Sequence, residues 1–108
     1  MAGWQTRGMI AYQLTPLAVD DLFEIWSYIA HDNTEAANAV EGAIHRACAL
    51  LAQAPLAGRM RADLTHLPLR FWFVQPYRNY VIVYDPATKP LQIIRVLHGA
   101  RNIHALLP

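Results

Sequence analysis

Apolar residues in the first half of the chain recur at helical spacing and predict a helix from about Pro16 to about His31. Thr15 can cap the start of this helix, and proline suits its first position. One face of the helix is apolar and consists of Leu22, Ile25, Trp26 and Ile29. Asp21 and Glu24 fall on a different face, so we expect both carboxylates to point to solvent.

A second helix is predicted after the turn Asp32–Thr34, and Pro55 ends it. Its apolar stripe consists of Ala36, Ala37, Val40, Ile44, Ala47, Leu50 and Leu51. Cys48 lies among the alanines and is expected to be a small buried hydrophobe rather than a nucleophile. Because the connection between the two helices is short, they should form an antiparallel hairpin.

The remaining hydrophobic pattern is that of strands separated by short turns. We predict strands at Met9–Leu14, Arg70–Gln75, Tyr80–Asp85 and Leu91–His98, a loop at Pro55–Pro68 and an apolar tail at Ile103–Leu107. The short connections between the last three strands indicate an antiparallel meander. The predicted fold class is therefore α+β in the order β-α-α-β-β-β, with the helical hairpin on one face of a small, mainly antiparallel sheet.

Three consecutive aromatic residues, Phe71-Trp72-Phe73, lie in one predicted strand. Because neighbouring side chains in a strand point to opposite faces, the three cannot share one core. Either Trp72 or its two neighbours face outward, unless both faces of the sheet are covered. A partner would cover an outward aromatic surface with a helix in a groove or with an added strand.

The length of 108 residues suits one domain. Residues 1–8 show no helix or strand pattern, so we interpret them as an N-terminal extension or a cloning remnant and residues 9–108 as the single domain. A hydrophobic fraction of 55% and a mean hydropathy of +0.15 are high for so small a chain. They favour apolar surface reserved for a partner, and the alternative is a tight, alanine-rich core.

Charge is distributed unevenly, although the formal net charge is only +1. Residues 1–53 contain two arginines and six acidic residues, a net charge of −4. Residues 54–108 contain six arginines, one lysine and two acidic residues, a net charge of +5. The C-terminal half is therefore predicted to present arginines to an acidic ligand, since the guanidinium fork matches carboxylate and phosphate. The alternative is a solvated face kept for solubility.

The sequence shows no apolar run of membrane-span length and no apolar centre of a signal peptide, so we expect a cytoplasmic protein. A single cysteine excludes an intramolecular disulfide and a CxxC metal site. The five histidines show no ligand spacing, and we expect neither a metal nor another cofactor.

Four segments in register resemble the RelE/ParE superfamily of bacterial toxins. They are Tyr12–Pro16 continuing to Asp21–Ala30, then Pro55–Leu64, Tyr80–Tyr84 and Ile93–Asn102. The resemblance extends from Met9 to Leu107 and is closest to ParE-like toxins, especially at Arg95–Arg101. It implies the same β-α-α-β-β-β fold and the toxin of a type II toxin–antitoxin system, held in a hetero-oligomer by a ParD-like antitoxin.

The superfamily has two main activities, since RelE-like members cleave mRNA on the ribosome and ParE-like members poison DNA gyrase. The resemblance therefore implies gyrase as the target, and action by binding rather than catalysis. In the endoribonuclease alternative, Arg61 and Arg78 would hold phosphate and His98 would move a proton. Gly99 after His98, and a single lysine placed in a turn, disfavour that alternative, and His98 is then a strand-end residue bonded to backbone. A third alternative is a non-toxic module that binds an antitoxin.

The residues expected to contact the antitoxin or the target are mostly arginines of the C-terminal half. The set is Trp26, Arg59, Arg61, Arg70, Trp72, Arg78, Arg95, His98 and Arg101. No catalytic residue is assigned in the gyrase interpretation. A net charge of +1 is not that of a basic nucleic-acid-binding protein, so we expect no direct sequence-specific contact with nucleic acid.

Overall fold

The computed structural model describes residues 11–107. The elements are β1 (Tyr12–Leu14), α1 (Pro16–Ala30), α2 (Thr34–Gln53), β2 (Arg59–Met60), β3 (Arg70–Phe73), β4 (Tyr80–Asp85), β5 (Leu91–His98) and α3 (Ile103–Leu106). The five strands form one sheet in the order β1-β5-β4-β3-β2. Within residues 11–107 only the β1–β5 pair is parallel, so the sheet is mainly antiparallel and the predicted α+β fold is confirmed.

The element boundaries differ from the prediction at β3 and in the loop at Pro55–Pro68. The strand predicted to reach Gln75 ends at Phe73, because the chain turns at Gln75–Asn79 and Val74 N–H bonds to Tyr80 O across the hairpin. The loop at Pro55–Pro68 contains the short strand β2, which pairs with β3. Met9, Ile10 and the proposed extension at residues 1–8 lie outside the described residues.

The helical hairpin packs on one face of the sheet and forms the larger core. Its contribution from α2 is Ala37, Val40, Ala43, Ile44, Ala47, Cys48 and Leu51, all buried. The predicted burial of Cys48 is confirmed, and burial raises the pKa of its thiol to about 12, which disfavours a reactive thiolate. The prediction for Leu50 is wrong, since this side chain is 50% exposed while Cys48 and Leu51 take the core positions beside it.

A second, smaller core covers the opposite face of the sheet. Its buried members are Leu69, Phe71, Val81, Val83 and Leu97, and the packed residues include Leu64, Ile94, Ile103, Leu106 and Leu107. Both faces are therefore covered, which explains the three consecutive aromatic residues of β3. Phe71 is buried in the second core, Trp72 packs against the larger core, and Phe73 remains 39% exposed.

An ion pair between α1 and β5 corrects the prediction for Asp21, which is buried rather than directed to solvent. Arg95 donates through Nε and Nη2 to the two carboxylate oxygens of Asp21, at 2.7 and 2.8 Å. Val96 N–H donates to the same carboxylate at 3.0 Å. Arg95 also donates to Leu106 O at 2.9 Å, so one guanidinium links the hairpin, the sheet and the C-terminal segment. Glu24, as predicted, is exposed.

This ion pair lies at an irregularity in β5. Val83 pairs with Arg95 whereas Tyr84 pairs with Ile93, so Ile94 is an extra residue in the strand. The displaced Ile94 carbonyl accepts a hydrogen bond from the Thr15 hydroxyl at 2.8 Å. The same hydroxyl caps α1 through Ala18 N–H. The extra residue Ile94 is a β-bulge. Helix α1 is therefore attached to β5 at two points, through Thr15 at this bulge and through Asp21 at Arg95.

The Tyr84 hydroxyl holds the segment that precedes β2. It accepts a hydrogen bond from Gly58 N–H at 2.8 Å and donates to Pro55 O at 2.6 Å. Burial raises the pKa of this hydroxyl, so it remains protonated and able to donate. A Cβ on Gly58 would lie 2.6 Å from the Tyr84 hydroxyl oxygen and 3.0 Å from Phe71 O, so the close approach requires glycine.

We expect Tyr84→Phe to lower the free energy of unfolding by about 1–3 kcal/mol, because Gly58 N–H and Pro55 O lose their shared partner. Urea denaturation followed by circular dichroism measures this change. Tyr28→Phe is the matched control. Because Tyr28 is 83% exposed, removal of its hydroxyl should leave the midpoint of urea denaturation unchanged. Equal midpoints for Tyr84→Phe and the wild type would show that the hydroxyl does not hold this segment.

Candidate functional site

The outer surface of the helical hairpin carries an apolar groove. It is lined by Leu14, Val19, Leu22, Phe23, Trp26, Asn38 and Glu41 and encloses about 360 Å³. Phe23 is 68% exposed and Val19 is 50% exposed, although both are large apolar side chains. Trp26 spans the two helices, because its indole Nε1 donates to Asn38 Oδ1 at 2.9 Å. We call this feature the hairpin groove.

The apolar surface continues beyond the hairpin groove on both helices. Leu17 and Tyr28 are exposed on α1, and Leu50 is exposed on α2. Leu50 lines a smaller depression of about 170 Å³ together with Ala43, Arg46, Ala47, Trp72 and Gln75. Five of the nine exposed large hydrophobic side chains of residues 11–107 lie on these two helices, and exposed apolar groups that adjoin one another mark a surface for a partner.

A second concave feature lies at the β2 edge of the sheet. It encloses about 320 Å³ and is lined by Ala57, Arg59, Arg61, Phe71, Trp72, Phe73, Gln75 and Arg78. We call it the arginine cavity. Its lining includes both Phe71, which belongs to the second core, and Trp72, which packs against the hairpin core. Trp72 and Gln75 also line the depression beside Leu50. The arginine cavity and the hairpin groove share no residue.

The three arginines of this cavity differ in their partners. Arg61 donates through Nε and Nη2 to the carboxylate of Asp63, at 2.9 and 2.7 Å, and these hydrogen bonds lower the pKa of Asp63. Both side chains of that pair are well exposed, so it adds little to stability. Arg59 and Arg78 are exposed and make no side-chain hydrogen bond or ion pair to any residue of 11–107. Positive charge on this edge is therefore only partly balanced.

Other predicted contact residues have partners within the domain. Arg70 donates to Gly58 O at 2.7 Å, and Arg95 is bound to Asp21. His98 Nδ1 accepts from Ala100 N–H at 3.1 Å, and its ring packs edge-on against Tyr80. Arg101 is exposed after β5.

The predicted set therefore divides between two surfaces and the interior. Trp26 lies in the hairpin groove, whereas Arg59, Arg61, Trp72 and Arg78 line the arginine cavity. His98 does not line the cavity that holds Arg61 and Arg78, although a Cβ on the neighbouring Gly99 would lie 3.5 Å from the ring of Phe73, which does line it.

Sequence reasoning missed Val19 and Phe23, the most accessible members of the hairpin groove. The available signal was the spacing of Val19, Phe23 and Trp26, which places a second apolar line on α1 beside the buried one. A helix that is apolar over more than one face requires either a deep core or a partner.

The fold defines a small α+β domain with an apolar groove on its helices and an arginine-lined cavity at one edge of its sheet. The family model described as the ParE toxin of the type II toxin–antitoxin system, parDE, matches residues 12–103, and the chain belongs to this family. It is a type II toxin, which confirms the resemblance seen in the sequence and implies an antitoxin partner.

The solved structures include a chain of the chromosomal ParDE system from P. aeruginosa with a similar fold. The TM-score is 0.65 at 21% identity, over 82% of this chain and 94% of that chain. A search of the curated proteins found no match. Within residues 11–107, no helix is both long enough and apolar enough to cross a bilayer.

Proposed function

We propose that this toxin is neutralised by a ParD-like antitoxin seated in the hairpin groove, and that it acts by binding DNA gyrase. The observation that supports the antitoxin site is the exposure of Phe23 and Val19 over a groove already walled by Leu22 and Trp26. Full burial of one such side chain contributes up to about 1.5–3 kcal/mol, which offsets part of the entropic cost of association.

The charged residues around the hairpin groove and around the depression beside Leu50 indicate the direction in which the antitoxin segment crosses the two helices. The hairpin groove has one acidic wall residue, Glu41 on α2, and Asp20 and Glu24 are exposed on α1. The depression beside Leu50 has a basic wall residue, Arg46. An antitoxin segment that is apolar over the hairpin groove and acidic where it meets Arg46 would complement both, and we expect it to fold on binding.

Family membership supports gyrase as the target, and the geometry disfavours the endoribonuclease alternative. General acid–base cleavage of RNA requires a proton-transfer group within reach of the bound phosphate. The predicted group, His98, is bonded to Ala100 N–H and lies outside the arginine cavity. The remaining cavity residues supply positive charge without a group that titrates near neutral pH.

The purified toxin is expected to inhibit supercoiling by gyrase, or to stabilise cleaved DNA on it, and to leave mRNA on translating ribosomes intact. Parallel assays with plasmid and gyrase, and with a ribosome-bound message mapped by primer extension, measure both activities. Codon-phased cuts that disappear with His98→Ala, together with unaffected gyrase, would establish the endoribonuclease instead. Inactivity in both assays would support the third alternative, a non-toxic module that binds an antitoxin.

A further inference from the structure

Helix α1 presents an exposed aromatic ring beside two carboxylates. Phe23 is 68% exposed, more than either of the other two phenylalanines of the chain. Asp20 lies one helical turn before it and Glu24 directly after it, and both acids are exposed. Residues three and four apart share a face of a helix, so Asp20 lies beside both Phe23 and Glu24. We call these three residues the Phe23 knob, which is apolar at its centre and negative at its border.

The arginine cavity has the complementary composition. Its lining combines three aromatic residues with three arginines, namely Phe71, Trp72, Phe73, Arg59, Arg61 and Arg78. Arg61 is paired with Asp63, whereas Arg59 and Arg78 are exposed and have no ion-pair partner within residues 11–107. The volume of about 320 Å³ is sufficient for a phenyl ring, since an apolar cavity of about 150 Å³ admits benzene. The cavity therefore fits an aromatic side chain flanked by carboxylates.

The positions of the Phe23 knob and the arginine cavity determine the symmetry of a contact between two copies of the chain. The two features share no residue. A two-fold contact through the Phe23 knob would place Asp20 and Glu24 against their own copies, and one through the arginine cavity would bring guanidinium groups together. Only a heterologous contact, with the knob of one copy in the cavity of the next, pairs opposite charges. A formal net charge of +1 adds little long-range repulsion between copies.

We propose that the free toxin self-associates head to tail, with the Phe23 knob of one copy inserted in the arginine cavity of the next. Because each chain of copies retains one unused knob and one unused cavity, the contact does not close and the chain grows with concentration. The contact buries Phe23, which the proposed antitoxin site also uses, so self-association and antitoxin binding exclude each other. Self-association is measured on the toxin alone, so this proposal and the proposed antitoxin site fail separately.

Sedimentation velocity of the full-length toxin, over a range of concentration and salt, tests the proposal. The weight-average mass should rise with concentration beyond that of a dimer without reaching a fixed size. Because the charges at the contact are exposed, added salt should weaken the association. A mass that stops at the dimer would indicate a closed two-fold contact, and a monomer at every concentration would show that the two surfaces do not bind each other. Either result would overturn the proposal.

Two single substitutions remove opposite sides of the contact. Phe23→Ala removes the knob and leaves the cavity, whereas Arg78→Glu reverses a charge at the cavity and leaves the knob. Each variant alone should associate at least about tenfold more weakly than the wild type, since buried aromatic and arginine side chains dominate interface energies. Their equimolar mixture should form a dimer and nothing larger, because only the knob of one variant and the cavity of the other are intact. A mixture as monomeric as its components would contradict the heterologous contact.

Tyr28→Ala and Lys89→Glu are the matched controls. Tyr28 is an exposed aromatic residue of the same helix, and Lys89 is an exposed cation in the β4–β5 turn. Neither belongs to the Phe23 knob or the arginine cavity, so each substitution should change the association constant by less than about twofold. Losses equal to those of Phe23→Ala and Arg78→Glu would show non-specific association and overturn the proposal. Denaturation midpoints for every variant separate a lost contact from lost folding.

Discussion

Replacement of Asp21 by alanine is expected to lower the free energy of unfolding by about 3–5 kcal/mol, the largest loss for any single acidic residue described above. Asp21 accepts three hydrogen bonds, two from Arg95 and one from Val96 N–H. Removing the carboxylate leaves the Arg95 guanidinium at 13% exposure without a counter-ion. Urea denaturation monitored by circular dichroism measures the loss.

Two variants show whether the ion pair is responsible. Glu24→Ala removes an exposed acid from the same helix and should change the free energy of unfolding by less than about 0.5 kcal/mol. Asp21→Leu combined with Arg95→Met removes both charges and should recover part of the loss, because neither charge is then buried alone. If the double variant is no more stable than Asp21→Ala, the loss comes from packing rather than from the unpaired arginine.

The second large effect is expected at the hairpin groove. Phe23→Ala should weaken antitoxin binding about 30- to 700-fold, since a central aromatic anchor contributes about 2–4 kcal/mol. Calorimetry or surface plasmon resonance with the antitoxin's C-terminal segment, repeated across a range of salt, provides the affinity. Phe23 is 68% exposed in the free toxin, so its truncation should leave folding intact.

Tyr28→Ala is the matched control for this substitution. Tyr28 lies on the same helix and is 83% exposed, but it does not line the hairpin groove. Its removal should change the affinity by less than about threefold. Binding that disappears at high salt and is unaffected by Phe23→Ala would show that the interface is electrostatic. An antitoxin segment that is already helical in isolation would contradict only the expected folding on binding.

The sequence predicted those parts of the fold that depend on local periodicity. The helical hairpin, the meander of β3 to β5 and the burial of Cys48 all depend on spacing and turn residues close in the chain. The burial of Asp21 depends instead on Arg95, which is 74 residues away. Helical periodicity shows that a polar residue lies off the apolar face. It does not show whether a cation distant in the sequence pairs with that residue and allows it to be buried.

The site was predicted less completely because arginines serve two purposes in this chain. Arg70 and Arg95 hold loops and helices together, whereas Arg59 and Arg78 remain available to a ligand. Residue type is identical in the two groups, and only the fold separates them. Phe23 was missed because it lies outside the one apolar face that helical periodicity predicts for this helix, which consists of Leu22, Ile25, Trp26 and Ile29.

Supercoiling by purified gyrase, measured with the toxin alone and after addition of one equivalent of antitoxin, tests the proposed target and the proposed antitoxin site together. The wild-type toxin should inhibit supercoiling, and the antitoxin should restore it. Inhibition by the Phe23→Ala variant should persist at antitoxin concentrations that fully restore the wild-type reaction, because the variant loses the contact in the hairpin groove. Unimpeded supercoiling with the wild-type toxin would contradict the proposed target, and equal rescue of both toxins would contradict the proposed antitoxin site.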